Sequence, residues 1–315
     1  MQKIKFAVVG YGHIGKRHAS IISEHPDCEL VAVVDAKSKD AKNTLAAEVP
    51  YFYELEAFLS TELEVDVVNI CTPNGLHAQQ AQRILDARKH VVIEKPMALR
   101  KSDCEQLIHK ALQVSRQVFV VMQNRYSPPV EWLKGLIETR QLGTIYMVQM
   151  NCYWNRDDRY YQPFGKSHSW HGTADLDGGV LFTQFAHFID IMYWVFGDIQ
   201  NVQSRTANFN HTDTTTFHDS GMAHFEFVNG GMGSINYSTA IWDQNFESSI
   251  TVIAEKGTLK IGGQYMDELV AFHVENMERP HLAKANAPND YGAYKGSAAN
   301  HHFVVENVVE VLRGK

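Results

Sequence analysis

Apolar and polar residues alternate along the first 122 residues in a pattern that predicts strands and helices in turn. Short runs rich in Val and Ile recur at intervals that leave room for a helix between them. Helical crossovers between buried strands give a parallel sheet. The predicted strands are Ile4–Val9, Leu30–Val34, Val65–Cys71, His90–Glu94 and Val118–Met122, and the predicted helices are Gly15–Glu24, Lys39–Glu48, His77–Ala87 and Ser102–Val114. We predict a doubly wound α/β Rossmann domain over residues 1–122.

The pattern changes near Ser127-Pro128-Pro129, where two prolines restrict the backbone. The following segments are predicted as a helix to about Arg140, a strand Thr144–Trp154, an apolar helix Gly179–Phe196, strands Gln200–Asn208, Gly221–Phe227, Gly231–Ser238, Ser248–Glu255 and Gly257–Ile261, and a last helix His302–Leu312. We predict an α+β domain with an open, mostly antiparallel sheet over residues 123–315. The last helix can pack against either domain.

The hexapeptide GYGHIG follows the first strand and opens the first helix. Its glycines permit a tight turn, close approach of a pyrophosphate and close helix packing, and the helix N-terminus offers free N–H donors. The predicted cofactor contacts in this loop are Gly10, Gly12, His13, Ile14 and Gly15.

The second predicted strand ends at Asp35, twenty residues after Gly15. A carboxylate there can accept both hydroxyls of the adenosine ribose and repels a 2′-phosphate, so we predict NAD rather than NADP. Lys37 and Lys39 lie close enough in sequence to offset part of that repulsion.

Two further segments end parallel strands, where ligands bind in this architecture. Glu94-Lys95-Pro96 places a lysine suited to proton transfer or to orienting a hydroxyl, although a surface lysine would look the same. Thr72, Asn74 and His77 would face the same crevice, or form only a loop and helix cap.

The predicted apolar helix carries Thr183 and His187, which are four apart and would share a face. An imidazole on an apolar helix needs a polar partner, so His187 is either a buried structural histidine or part of an active site.

Composition narrows the function classes. The formal charge is −7, without a basic stripe, so we expect no nucleic-acid partner. No segment has the pattern of a signal peptide or membrane span, so we expect a cytoplasmic protein without a membrane partner. Four dispersed cysteines and sixteen histidines without an HExxH pattern predict no metal site.

In order along the chain, the motifs GYGHIGKRHA, CTPNGLHA, HVVIEKPMA and DGGVLFTQFAHFID resemble those of the Gfo/Idh/MocA oxidoreductase family. The resemblance implies a Rossmann domain and an open-sheet domain that bind NAD(P) and a sugar or polyol. It places Lys95 and His187 at the catalytic positions and Glu94, Thr72, Asn74 and His77 among the cofactor contacts.

The segments QNRYSPP, SWHGTADLDGG and ENVVEVLRG are more narrowly similar to bacterial UDP-N-acetylglucosaminuronate 3-dehydrogenases of surface-polysaccharide pathways. That similarity implies Gln123, Arg125, Trp170 and Thr183 in the sugar pocket, and a homodimer or homotetramer formed through the sheet. Thr183 stands where relatives carry Asn or Asp, His171 stands where they commonly carry Arg, and relatives continue past Gly314-Lys315 into a further helix.

Three functions follow as alternatives. The first is NAD-dependent oxidation of the C3 hydroxyl of that nucleotide sugar. The second is another sugar or inositol dehydrogenase of the same family, since the changes at Thr183 and His171 alter the pocket. The third is a non-catalytic NAD-binding regulator, against which the presence of Lys95 and His187 argues.

Overall fold

The computed structural model describes residues 2–37, 49–162, 169–292 and 294–314. No helix in these ranges has the length and apolar character of a membrane span. The chain divides into two compact units, one of Met1–Val121 with His301–Lys315 and the other of Met122–Asn300. The first boundary lies within one residue of the expected one. The predicted helix Lys39–Glu48 lies outside the described residues.

The first unit contains, in chain order, β1 (Ile4–Val9), α1 (His13–Glu24), β2 (Cys28–Val34), β3 (Tyr51–Phe52), α2 (Leu55–Leu59), β4 (Val67–Ile70), α3 (His77–Asp86), β5 (His90–Ile93), α4 (Lys101–Val114) and β6 (Val118–Val120). Its described strands pair in parallel in the order β3-β2-β1-β4-β5-β6. Every residue of β4 is buried, as the continuous apolar runs predicted. The Rossmann fold is thereby confirmed.

Strand order reverses beside β1, which pairs with β2 on one side and β4 on the other. Ligands of doubly wound sheets bind at the carboxyl ends of the strands, at such a reversal. Gly10, Asp35, Thr72 and Lys95 each follow the end of β1, β2, β4 or β5 within two residues. The fold therefore brings the predicted cofactor residues to one edge of the sheet.

The second unit contains α5 (Pro128–Glu138), β7 (Ile145–Tyr153), α6 (Asp158–Tyr161), α7 (Val180–Thr183), α8 (Ala186–Phe196), β8 (Ile199–Ala207), β9 (Ser220–Phe227), β10 (Met232–Ser238), β11 (Glu247–Ala254), β12 (Gly257–Gly262), β13 (Glu268–Val274), β14 (Pro288–Asp290) and β15 (Lys295–Ala298). The larger sheet has the order β13-β12-β11-β7-β10-β9-β8. Only the pair of β7 and β10 is parallel among its described strands, which confirms the mostly antiparallel sheet.

One face of this sheet forms the core of the second unit with α5 and α8. Val148 and Met150 of β7 are completely buried there, as are Leu133 of α5 and Phe188 of α8. The opposite face is open, and every residue of β8 from Ile199 to Thr206 is exposed. Among the described residues, the sheet therefore presents one face to the core and leaves strand β8 at its edge exposed.

The predicted continuous helix Gly179–Phe196 is wrong, because the backbone turns between α7 and α8. Phe185 lies in that turn and is completely buried. Its ring lies 5.6 Å from Trp154 and 6.0 Å from Tyr237, centroid to centroid. Burying this ring favours the turn over a straight helix, so Thr183 and His187 do not share one helical face.

The last helix, α9 (His301–Leu312), belongs to the first unit, although the expected second domain extended to residue 315. It packs on α1. Val304, Val305 and Val308 are buried along it, so its apolar face completes the core of the Rossmann unit. The sequence shows that this face is apolar but not which neighbour covers it.

Candidate active site

The glycine loop between β1 and α1 has the geometry that its sequence predicted. Gly10 has a φ of +87°, and a Cβ on Gly15 would lie 1.8 Å from the Gly10 carbonyl oxygen, so both positions require glycine. A Cβ on Gly12, in contrast, would meet no described atom within 4 Å. Gly12 caps α1 without a side-chain hydrogen bond, and helix N-termini are sites where backbone N–H groups bind phosphate.

Asp35 fixes the other side of this loop. Its Oδ2 accepts the backbone N–H of Tyr11 at 2.5 Å, and its Oδ1 accepts the N–H of Lys37 at 2.7 Å. Each carboxylate oxygen retains a second lone pair. The arrangement fits a ribose whose two hydroxyls donate to Asp35, which is the geometry expected for NAD.

His77 joins the loops that follow β4 and β5. Its Nδ1 lies 2.8 Å from the Pro96 carbonyl oxygen and its Nε2 lies 2.9 Å from the Thr72 carbonyl oxygen. Burial lowers the pKa of its imidazole, and the two carbonyl contacts oppose that shift. The side chain thus holds Thr72 and the Lys95-Pro96 segment in place. Its predicted contact with the cofactor, like that of Asn74 on the same loop, stays a prediction.

Glu94 lies directly before Lys95 and is 7% exposed. Its Oε1 lies 3.0 Å from His18 Nε2 and 3.4 Å from His301 Nε2, and its Oε2 accepts the backbone N–H of Lys95 at 3.2 Å. Burial alone raises the pKa of this carboxyl, but the two histidine contacts outweigh burial and hold the pKa well below its usual value. Glu94 is therefore an ionised carboxylate with both oxygens in use.

In the second unit, His187 is the second residue of α8 and is 2% exposed. Thr183 ends α7, and its hydroxyl lies 2.7 Å from the Asp177 carbonyl oxygen and also contacts the Asp177 carboxylate. The second carboxylate oxygen of Asp177 accepts the N–H of Gly172 at 2.9 Å. Asp177 therefore fixes both Thr183 and the loop that carries Trp170.

Three aromatic rings lie close together where that loop meets α6. The His171 ring lies 3.9 Å from Trp170 and 4.2 Å from Tyr160, centroid to centroid. His171 Nδ1 is also 3.9 Å from the Asp177 carboxylate. The two departures from the family pattern, at His171 and Thr183, thus meet at one carboxylate.

The other two predicted sugar contacts are held by residues of the second unit. Arg125 forms a bidentate ion pair with Asp190 of α8, at 2.7 Å and 2.5 Å, and lies over the Trp194 ring. Gln123 donates its amide N–H to Ser297 at 3.1 Å. Its side-chain oxygen is buried and has no hydrogen-bond partner among the described residues.

Arg156 is a buried cation that packs among the aromatic rings beside this loop and the end of α7. It is 2% exposed and lies over the rings of Trp154, Tyr160 and Tyr294. Its Nε donates to Gln184, the residue after Thr183, at 2.7 Å. Burial lowers the pKa of this guanidinium, which the nearby tyrosines oppose. The arginine therefore ties the end of β7 to the turn between α7 and α8.

The sequence reasoning missed four side chains that position the predicted site residues. Asp177 and Asp190 were visible in the motif DGGVLFTQFAHFID, but without a role. His18 follows the glycine loop in GKRHA, and His301 begins α9. No local pattern reveals that these two histidines meet at Glu94, since they are far apart in the sequence. The four residues are Asp177, Asp190, His18 and His301.

Comparison with known proteins agrees with this architecture. Residues 4–122 match the Gfo/Idh/MocA oxidoreductase family with its NAD-binding Rossmann fold, and residues 130–260 match the C-terminal domain of that family. The structure of the WlbA dehydrogenase from Bordetella pertussis in complex with NADH and UDP-GlcNAcA is 31% identical, with a TM-score of 0.83 over 99% of this chain and 89% of that chain.

A second WlbA structure, from Chromobacterium violaceum with the same two ligands, is 29% identical, with a TM-score of 0.85 over 100% of this chain and 87% of that chain. A more distant relative is the 2,7-anhydro-N-acetylneuraminate hydratase of Escherichia coli, which is 26% identical over 85% of this chain and 73% of its own length. The chain belongs to the Gfo/Idh/MocA family and is an NAD-dependent oxidoreductase of the kind that acts on sugars.

Proposed function

We propose that this protein oxidises the C3 hydroxyl of UDP-N-acetylglucosaminuronate to a ketone with NAD, as a step of surface-polysaccharide biosynthesis in the cytoplasm. The observation that carries the proposal is the 31% identity over 99% of the chain to a WlbA structure that contains UDP-GlcNAcA. The candidate site of the second unit supports it, because Trp170, Arg125 and Gln123 offer a ring, a cation and an amide to a nucleotide sugar.

The proposal assigns the proton chemistry to Lys95 and His187. Both side chains hold the reacting hydroxyl, and one of them accepts its proton. NAD supplies the acceptor for the hydride that leaves the same carbon. Removal of the hydroxyl proton by a positioned base lowers the barrier of the reaction. The negatively charged Glu94 accepts the backbone N–H of Lys95 and so lies beside one of the two candidate bases.

Recognition of the sugar is assigned to the region around Asp177. Because the Thr183 hydroxyl already contacts Asp177, it meets the substrate mainly as an acceptor, whereas an Asn at this position would offer two N–H donors. The substrate must therefore present a donor, such as a sugar hydroxyl or the N–H of an N-acetyl group, to this position.

The experiment is a single-turnover assay, in which the pure protein at high concentration is mixed with NAD and UDP-N-acetylglucosaminuronate. Reduced nicotinamide absorbs light in the near ultraviolet, which makes its formation measurable. We expect it to form in an amount equal to that of the enzyme. Mass spectrometry of the sugar product must show the loss of two hydrogens. If NAD is shown to be bound and the absorbance of reduced nicotinamide does not rise, UDP-N-acetylglucosaminuronate is not the substrate.

A second candidate is another sugar or polyol dehydrogenase of the same family. One relative of this chain, the 2,7-anhydro-N-acetylneuraminate hydratase of Escherichia coli, acts on a different sugar. A panel of nucleotide sugars, free sugars and inositols in the same assay separates the two candidates. Absence of cofactor reduction with every compound would favour a non-catalytic NAD-binding regulator.

A further inference from the structure

One cluster of ionisable side chains in the first unit contains two histidines to which neither cofactor nor substrate binding assigns a role. Glu94, His18 and His301 lie together, and the two histidines are 2% and 1% exposed. Their rings meet edge to face, with centroids 5.6 Å apart. Groups of this kind are costly to bury, so their interactions with one another must offset the loss of water.

The cluster joins three elements that are separate in the sequence. His18 lies on α1, directly behind the glycine loop, Glu94 follows β5, and His301 is the first residue of α9. The Asn69 amide N–H lies 2.8 Å from His18 Nδ1, which leaves the His18 hydrogen on Nε2, facing Glu94. Asn69 of β4 is completely buried and thus orients the first histidine.

The far side of Glu94 faces Lys95. Its Oε2 accepts the Lys95 backbone N–H at 3.2 Å, so the orientation of this carboxylate sets the position of the lysine backbone. We propose that His18 and His301 are positioning residues, which hold the Glu94 carboxylate so that Glu94 fixes Lys95 for proton transfer. The inference rests on the proposed function in that Lys95 acts on the substrate.

The same three side chains could instead bind a divalent cation, because their ligand atoms all lie within 4.8 Å of one another. Two contacts favour positioning. His18 bonds to Glu94 directly at 3.0 Å, and the second oxygen of Glu94 already accepts the Lys95 N–H. Glu94 is therefore satisfied without an ion, whereas the His301 ring nitrogens form no hydrogen bond among the described residues, so the cation alternative needs its own test.

The test compares leucine with glutamine at each histidine. His18→Leu removes the hydrogen-bond donor to Glu94, and His301→Leu removes the imidazole that lies 3.4 Å from the same carboxylate oxygen. His18→Gln and His301→Gln keep an N–H near the same points. We expect kcat to fall about tenfold in the leucine variants, since small displacements of a catalytic group are costly, with KM and NAD affinity changed less than about threefold. The glutamine variants should recover most of the loss. His302→Leu is the matched control, because His302 is the neighbouring, half-buried residue of α9.

A second readout needs no substrate, so it separates this inference from the proposed function. Hydrogen exchange of the peptide that contains Lys95 should accelerate in the leucine variants more than exchange in β5, when each variant is measured well below its own midpoint of thermal unfolding. Unchanged exchange at Lys95 would overturn the inference even if the enzyme is active. Accelerated exchange would support it even if the nucleotide sugar is not the substrate.

Metal content decides the remaining alternative. We expect the purified protein to contain less than about 0.1 equivalents of any transition metal by mass spectrometry, that is, fewer than about one ion in ten chains. A stoichiometric metal that disappears in His301→Leu would overturn the positioning role and make the cluster a metal site.

Discussion

Lys95 and His187 are the residues to which the proposed chemistry assigns the proton. Replacing either with Ala should lower kcat by about a hundred- to ten-thousand-fold, the usual contribution of a positioned base, while NAD affinity stays near that of the wild type. Single-turnover kinetics and NAD titration measure the two quantities. Lys101→Ala is the control, because that side chain is 90% exposed. Normal turnover in either variant would contradict the assignment.

Asp35 sets the choice between NAD and NADP. In Asp35→Asn, the amide oxygen can still accept the Tyr11 N–H, but the negative charge is lost. Two like charges about 4 Å apart repel by roughly 1–4 kcal/mol, depending on exposure to water, so we expect the preference for NAD to fall at least about tenfold. The ratio of kcat/KM with the two cofactors measures it. A wild-type enzyme that already uses both equally would refute the role of this charge.

Sequence reasoning at the residue scale found side chains that follow strands and missed those that support them. Lys95 and Asp35 lie at strand ends, a position that periodicity alone predicts. The contacts of Glu94 with His18 and His301 depend on tertiary packing, which local sequence patterns do not predict. The contact of Thr183 with Asp177 was missed for a related reason, since it depends on the turn before α7, where Gly178 and Gly179 both have positive φ.

At the scale of elements, the glycine loop offers two substitutions with opposite expectations. Gly12→Ala places its methyl group in open space, so thermal stability should persist while NAD affinity falls at least about tenfold, because the group blocks the phosphate. Gly15→Ala places its methyl group against the Gly10 carbonyl and should lower stability by about 1–3 kcal/mol.

Calorimetry and NAD titration of both loop variants measure these effects. Equal loss of stability in the two variants would contradict the assignment of open space above Gly12. Unchanged NAD affinity in Gly12→Ala would mean that the phosphate lies elsewhere.

Elements with strong periodicity were predictable, and elements fixed by distant neighbours were not. Strands β1, β2, β4 and β5 of the first unit were found because most of their residues are buried, whereas the two-residue strand β3 was missed. The turn at Phe185 was missed because its apolar surroundings resemble a helix until Trp154 and Tyr237 are brought beside it. Strands β13 to β15 were missed because they are partly exposed or only three to four residues long.

At the scale of the whole molecule, stability should depend on pH through the buried cluster at Glu94. Burial lowers the pKa of His301 below its ordinary value of 6.5, so the unfolded chain binds more protons below that pH. Stability should therefore fall as the pH drops below 6.5. The lowered pKa of Glu94 adds a second loss below its ordinary value of 4.5.

Denaturant unfolding at pH 7.5 and 5.5 measures the first effect. His301→Gln cannot take up that proton, so the difference between the two pH values should be smaller than in the wild type. An equal difference in the two proteins would contradict the prediction.

The open face of the larger sheet leads us to predict a homodimer or homotetramer. Met222 and Met232 are 67% and 54% exposed on this face. A stable interface buries about 800 Å² of each partner, and a charge buried at its centre opposes association. Met222→Lys should therefore shift the mass measured by light scattering towards the monomer. Leu112→Lys, on α4 and 74% exposed, should leave it unchanged. A monomeric wild type would refute the prediction.

Because α9 belongs to the Rossmann unit, that unit is completed only after the second unit has been synthesised. Residues 122–300 are translated between the two parts of the first unit, which takes on the order of ten to forty seconds at about 5–20 residues per second. During that interval Glu94 lacks His301, and the apolar surface of α1 lacks its cover. The nascent Rossmann unit therefore exposes part of its apolar core while the second unit is synthesised. We expect this exposed surface to make the Rossmann unit the more aggregation-prone part of the nascent chain.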